Sequence, residues 1–220
     1  MIKAVLLDID GTLVDSNDAH AHAWQAAFGD AGIVIDFQRI RSCIGMGGDK
    51  LMPAVASISE DSELGCRISK RKGEIFRSKW LPRLQPFRDA DRLLMELKAR
   101  GFTLVAATSA KRDELRSLLK VAHAEWLLDG AASSDDAEES KPDPDIIHAA
   151  LREAETQPDS AVMIGDTPYD IEAATAAGVR IVAFRCGGWS DDDLSGAIAV
   201  YDGAWQLLEQ IQTSVFARAS

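Results

Sequence analysis

An apolar run, Ile2-Lys3-Ala4-Val5-Leu6-Leu7, leads straight into Asp8-Ile9-Asp10-Gly11-Thr12-Leu13-Val14-Asp15-Ser16, and this junction constrains the fold more than any other stretch. Continuous apolar strands belong inside sheets covered on both faces, so three carboxylates gather where a buried strand ends. Period-two alternation puts Asp8 and Asp10 on one face if the strand continues, and Gly11 lets the backbone turn away. Two like charges about 4 Å apart at an effective dielectric near 20 repel by roughly 4 kcal/mol. The pair therefore implies a bound cation, a shared proton, or both. Further elements follow in order. Thr108-Ser109 end the apolar run Thr103-Leu104-Val105-Ala106-Ala107, Lys141-Pro142-Asp143 follow an acidic loop, and Gly165-Asp166-Thr167-Pro168-Tyr169-Asp170 end Ala161-Val162-Met163-Ile164.

Between the first motif and the second the pattern is helical. Ser16 is placed to cap a helix over 17–31 carrying Trp24 and Phe28 at helical spacing, and no strand-like run occurs before about residue 84. From Phe87 onward strand and helix alternate. Helices are expected over 89–100, 113–121, 144–155, 169–177 and 203–212. Strands are expected at 103–108, Trp126-Leu127-Leu128, 161–164, 180–184 and, more weakly, 197–200. Such alternation predicts an α/β fold: a Rossmann-like three-layer core with a mainly parallel sheet, comprising 1–15 and 85–220, plus a small all-helical cap at 16–84 inserted after the first strand. Ligands of these sheets bind at the carboxyl ends of strands, where the motifs fall. The tail from Gln212 to Ser220 is expected to fray.

The chain has 220 residues, 46% of them apolar, enough for a sizeable core and no more than a modest insertion. Its formal net charge of −11 argues against nucleic acid and anionic membranes as partners. No run approaches the roughly 18 apolar residues of a membrane span, and Asp8 interrupts the N-terminal apolar stretch, so a cytoplasmic protein is expected. Cys43, Cys66 and Cys186 are odd in number and widely spaced, and read as small buried apolar residues in a reducing compartment. Asp135-Asp136-Ala137-Glu138-Glu139 read as a solvated loop that positions Lys141. His123 and His148 read as helix residues without partners, and Trp80, Trp126, Trp189 and Trp205 as packing groups.

Together the motifs at Asp8-Ile9-Asp10-Gly11-Thr12, Thr108, Lys141 and Gly165-Asp166 through Asp170 resemble the haloacid dehalogenase superfamily of phosphotransferases. Within it the likeness is to the branch of phosphoglycolate phosphatases and β-phosphoglucomutases, which carries a helical C1 cap, and it covers nearly the whole chain. The resemblance implies that Asp8 attacks phosphorus to form an aspartyl-phosphate, and that Asp10 protonates the leaving group and then deprotonates water. Asp10 then needs a pKa raised toward the operating pH. It implies Mg²⁺ as cofactor, held by Asp8, the Asp10 backbone carbonyl and Asp166, with Asp170 either a direct or a water-bridged ligand. Thr108 would offer a hydroxyl and Ser109 a backbone N–H at a helix start to the phosphate, and Lys141 would neutralise Asp8 and the phosphate.

In the cap, His20 and Trp24 resemble the β-phosphoglucomutase entry helix, Lys72 falls near that group's cap lysine, and Lys111 resembles a mutase residue that contacts substrate. The glycine-rich loop Gly45-Met46-Gly47-Gly48-Asp49 can approach the core and present Lys50 to a substrate. The function implied is a Mg²⁺-dependent phosphatase of a small phosphorylated metabolite, with a monomer or weak homodimer expected. The alternatives are a phosphosugar mutase and a non-catalytic module binding a phosphometabolite. Against the mutase, Gly48 stands where that group has a phosphate-binding arginine, and Gly165-Asp166 replaces a Glu-Asp pair. Asp10 argues against dehalogenases and phosphonate-cleaving members.

Overall fold

The computed structural model describes residues 1–217. Six strands, β1 (Ala4–Leu7), β2 (Thr103–Ala107), β3 (Gly130–Ala132), β4 (Ala161–Gly165), β5 (Arg180–Phe184) and β6 (Ala199–Tyr201), form one sheet in the order β3-β2-β1-β4-β5-β6, every pair parallel. Ala4 aligns with Thr103 on one side and Ala161 on the other, so β1 is central and fully buried. Its side chains alternate between two cores: Val5 and Leu7 face one, Ala4 and Leu6 the other. Helices α5 (Ala90–Ala99), α6 (Arg112–Val121) and α9 (Ala204–Glu209) cover the first face, and α7 (Asp145–Glu153) and α8 (Pro168–Ala176) the second. Chain order reverses between β1 and β4, which makes their carboxyl ends the topological switch point of the sheet.

Between β1 and α5 the named elements are all helical: α1 (Asn17–Asp30), α2 (Phe37–Arg41), α3 (Gly48–Ala56), α4 (Glu63–Ile75), then a π-helical turn over Phe76–Trp80 and a 3₁₀ turn over Leu81–Arg83. Trp24, Phe28, Ile40, Leu51, Met52, Ile68 and Phe76 are buried among them. The chain leaves and re-enters the sheet region side by side, since Asp15 N–H donates to the Gln85 carbonyl (3.0 Å) and Phe87 N–H to that of Leu13 (2.9 Å).

Several expectations need correction. The strand expected at Trp126-Leu127-Leu128 is a turn, and β3 begins two residues later, on Gly130-Ala131-Ala132. α7 packs on this edge, and a Cβ at Gly130 would lie 2.4 Å from the Glu153 side chain, so space favours small residues over the β-propensity of Trp and Leu. Trp126 is left 81% exposed, whereas Trp80 stacks on His22, Trp189 meets Tyr169 edge-on and Trp205 lies under Arg88. Of the cysteines, all free, Cys66 is exposed on α4, and Cys43 and Cys186 are half-buried against the first core. His123 lies beyond α6, its φ of 53° reversing the chain there, while His148 is within α7. The last helix is shorter than expected, passing into a 3₁₀ turn at Ile211–Thr213. Nor is the tail frayed up to Phe216, whose ring is buried edge-on against Phe102; residues 218–220 lie outside the described residues.

Candidate active site

Asp8 leaves the end of β1 and Asp166 the end of β4, so the switch point brings two carboxylates together from strands far apart in sequence. Asp170 joins them from the first turn of α8, and oxygens of the three lie within 4.8 Å of one another. One Asp170 oxygen caps α8, accepting from Asp166 N–H (3.2 Å), Thr167 N–H (3.0 Å) and the Thr167 hydroxyl (2.8 Å). The other faces Lys141, whose ammonium is 2.7 Å away. Lys141 also donates to Asp8 (2.6 Å) and to the Ala107 carbonyl (2.7 Å), so its ammonium is partnered by two carboxylates and a carbonyl although the residue is 1% exposed.

Three buried acids with one ammonium leave negative charge in excess, and Asp8 and Asp166 resist ionisation accordingly. Burial, with the charge of Asp170, pushes Asp8 up to about 8 despite the pull of Lys141. Burial and the charges of Asp8 and Asp170 hold Asp166 well above the usual carboxylate range. Lys141 is raised, the attraction of Asp170 and Asp8 outweighing its own burial. An all-oxygen donor set with surplus negative charge fits a hard divalent cation.

Asp166 is held on both sides. Thr12 donates to Oδ1 (2.9 Å) and more distantly to Asp8 (3.3 Å), while the Asn17 amide donates to Oδ2 (2.8 Å) and to the Gly187 carbonyl (3.1 Å). Two glycines make room. A Cβ at Gly11, whose φ is +79°, would lie 2.2 Å from Asp166 Oδ2, and one at Gly187 only 1.8 Å from it.

The Asp10 carboxylate points elsewhere, accepting from Ser16 (2.5 Å) and lying 2.8 Å from His20 Nε2. Ser16 therefore makes no side-chain cap for α1, contrary to expectation; its hydroxyl serves Asp10 instead. The π-helical turn brings Phe76 against the His20 ring, centroids 4.0 Å apart. Asp10 was expected to have a raised pKa, but it is lowered: burial opposes its charge, and the attraction and hydrogen bond of His20 with the Ser16 bond overcome that.

A cavity of about 90 Å³ opens over these groups, lined by Asp8, Asp10, His20, Lys72, Thr108 and Glu114 together with Trp24 and the 44–48 loop. The Thr108 hydroxyl accepts from Ala110 N–H (3.1 Å), and the buried Ser109 hydroxyl has no protein partner. Ser109 does not start a helix as expected. α6 begins at Arg112, with Lys111 exposed as its N-cap, because the chain turns at 109–110 before the helix forms. Lys72 reaches the cavity from α4 and pairs with Glu114 (3.4 Å).

Lys50 is not presented to the cavity. It pairs with Glu139 (2.5 Å) and Asp143 (2.9 Å), a more favourable partner for an ammonium than open cleft. The acidic loop is solvated as expected, Asp135, Asp136, Glu138 and Glu139 all being exposed, and it is also tied to its surroundings: Asp135 accepts from Arg112 N–H at the head of α6, and Asp136 pairs with Arg112 and Ser133. The residues overlooked in the sequence are Asn17, Thr12 and Glu114. Asn17 and Glu114 were not singled out, each lying at the start of an expected helix, and Thr12 was quoted only as part of a motif.

The model of the haloacid dehalogenase-like hydrolases matches residues 5–184. Validoxylamine A 7'-phosphate phosphatase of Streptomyces hygroscopicus subsp. limoneus is 31% identical over 83% of this chain and 85% of its own. Phosphoglycolate phosphatase of Rhodospirillum rubrum is 29% identical over 92% and 88%. Among solved structures, a hydrolase from Pseudomonas syringae superposes with a TM-score of 0.90 at 26% identity, covering 96% of this chain and 98% of that one.

Proposed function

The chain belongs to the haloacid dehalogenase-like hydrolases, and from that premise we propose that it is a Mg²⁺-dependent phosphatase of a small phosphomonoester, acting through an aspartyl-phosphate on Asp8. The observation that carries the reading is the buried cluster of Asp8, Asp166 and Asp170 tied by Lys141 and opening on a cavity that contains Asp8. Phosphatases among its relatives support the reaction class.

In this reading Asp8 is the nucleophile and Lys141 keeps its second oxygen engaged and in place. Asp8 and Asp166 would hold Mg²⁺ with the Asp10 main-chain carbonyl, and with Asp170 directly or through water. When bound, the ion offsets the charge of the carboxylates and the phosphoryl oxygens. Asp10, 2.8 Å from His20 Nε2, stands at the cavity wall where the leaving oxygen requires a proton. The free Ser109 hydroxyl and the 108–110 backbone supply the neutral donors around the phosphoryl group. We assign 1–15 and 85–220 to a core carrying the nucleophile and cation site, and 16–84 to a cap that walls the cavity. No helix among the described residues is long and apolar enough to cross a membrane.

A mutase would need to hold a second phosphate. Gly48 offers no side chain for that, and the neighbouring Lys50 is engaged by Glu139 and Asp143, which favours hydrolysis. The test is phosphate release from a panel of phosphorylated metabolites with Mg²⁺ and with EDTA, using Asp8→Asn as the blank. Metal-dependent release absent from the blank supports the phosphatase. Isomerised sugar phosphate without net release would establish the mutase instead, and binding without either would establish the non-catalytic module.

A further inference from the structure

The cavity over Asp8 does not end at its own walls. Trp24, Gly48, Lys72, Ser109, Ala110 and Glu114 line both it and a broader cleft of about 850 Å³ that runs outward between the helical segment and the α6 loops. Whatever an ester carries beyond its phosphate must pass this shared rim. The rim's two charged groups are Lys72 and Glu114, 3.4 Å apart and only 14% and 11% exposed at the side chain.

Lys72 is the cation closest to the inner cavity that is not part of the acid cluster, and its charge is already committed. Glu114 holds it on one side, the Phe76 ring lies 5.0 Å and the Trp24 ring 5.8 Å from its Nζ, and its attraction also acts on Asp10. Glu114 stands in the first turn of α6, where the helix dipole stabilises a carboxylate. The exposed cations of the outer cleft, Lys70, Arg77, Lys111 and Arg112, line only the broader space, together with Asp49, Glu60, Asp61, Asp113 and Asp135. An anionic group a few bonds from the phosphate would therefore meet Glu114 without a free cation beside it, while a hydroxyl could accept from Lys72 and donate to Glu114 at once.

Resting on the phosphatase reading, we propose that Glu114 is a charge filter at the cavity rim, so that the enzyme selects phosphomonoesters whose carbon portion next to the ester is neutral and hydroxylated and rejects those carrying a second anionic group there. Specificity of this kind comes from a repulsive element built against the competitor as much as from attraction to the substrate.

Glycerol 3-phosphate and 3-phosphoglycerate test it, having equal carbon counts and differing by a carboxylate in place of a hydroxymethyl group. The wild-type enzyme is expected to favour glycerol 3-phosphate in kcat/KM by at least about tenfold, equivalent to roughly 1.4 kcal/mol. Glu114→Gln should shift that ratio at least about tenfold toward the carboxylated ester, and adding Lys72→Met should cancel the shift, because the freed ammonium is what accepts the carboxylate. Hydrolysis of p-nitrophenyl phosphate, compared with Asp8→Asn, is run alongside. Aryl ester turnover with the same carboxylate preference in wild type and Glu114→Gln overturns the filter alone. Absence of phosphate release from both metabolite esters and from the aryl ester alike overturns the phosphatase reading and the filter with it. A wild-type preference for the carboxylated ester also overturns the filter.

Discussion

Replacing Lys141 by Met would keep the apolar stem and remove the one ammonium shared by Asp8 and Asp170. Breaking a buried ion pair by removing one partner costs about 3–5 kcal/mol, and here two carboxylates lose their partner at 2.6 and 2.7 Å together with the Ala107 carbonyl. For a chain of this size that corresponds to a melting temperature lower by roughly 6–20 °C in EDTA near neutral pH. The deficit depends on pH with a definite sign. Burial already raises Asp8 to about 8 and Asp166 well above its ordinary value, and loss of Lys141 removes an influence that holds Asp8 down. Groups whose folded pKa is raised stabilise the fold fully below their unfolded pKa of about 4, and that contribution disappears as pH rises through the folded value. The variant should therefore approach wild type at about pH 5 and fall furthest behind above about pH 8. Mg²⁺ at a hundredfold excess over its Kd should restore about 2.7 kcal/mol. Urea titrations of both proteins across this pH range, with EDTA and with Mg²⁺, give the comparison. A variant as stable as wild type in EDTA at pH 8 would refute the view that Lys141 offsets the buried acids.

Asn17→Ala removes a donor to Asp166 Oδ2, and calorimetric titration should show Mg²⁺ binding about 10–100-fold weaker; unchanged affinity would mean Thr12 alone orients that carboxylate. Gly187→Ala places a Cβ 1.8 Å from Asp166 Oδ2, so Asp166 must move. Loss of turnover by more than about a hundredfold is expected, with about 1–3 kcal/mol of destabilisation from overpacking, and near-normal activity would show that the loop carrying Gly187 yields instead.

The readable parts of the site are those written in short-range signals. β1, β2, β4 and β5 stand out because strands buried on both faces are continuously apolar, and the charges that end them are then conspicuous. Asp166 and Asp170 share one helix start, so their spacing alone predicts that they meet. Asn17 was invisible for the opposite reason: its partner lies 149 residues away, and an asparagine at a helix N-terminus has an ordinary local explanation. Ser16 had the same local explanation, and there it misled, since a nearby carboxylate outcompeted the backbone for its hydroxyl. Lys50 was misjudged because one partner, Glu139, belongs to a run whose acidity suggested only solvent contact, and the other, Asp143, was quoted only beside Lys141. The resemblance supplied what spacing could not, namely that Lys141 would neutralise Asp8, and the structure adds that it does so while buried.

Several of the contacts joining the helical segment to the sheet region are polar. Besides Lys50 with Glu139 and Asp143, the Arg41 guanidinium donates to the Gly187 carbonyl and the Tyr169 hydroxyl to the Ser42 carbonyl. Partly exposed ion pairs contribute about 0–1 kcal/mol each and are screened by salt. Contacts of that size suit a cleft a substrate must enter, because each can open without unfolding either side. Lys50→Met should therefore cost under about 1 kcal/mol of global stability, yet it removes two of the pairs holding the segment over the cavity. Rising salt should raise KM in the wild-type enzyme by weakening these pairs, and the rise should be shallower in Lys50→Met, where two are already gone. Equal slopes in the two proteins would place the force that keeps the cavity covered in the apolar contacts around Trp24 and Phe76 instead.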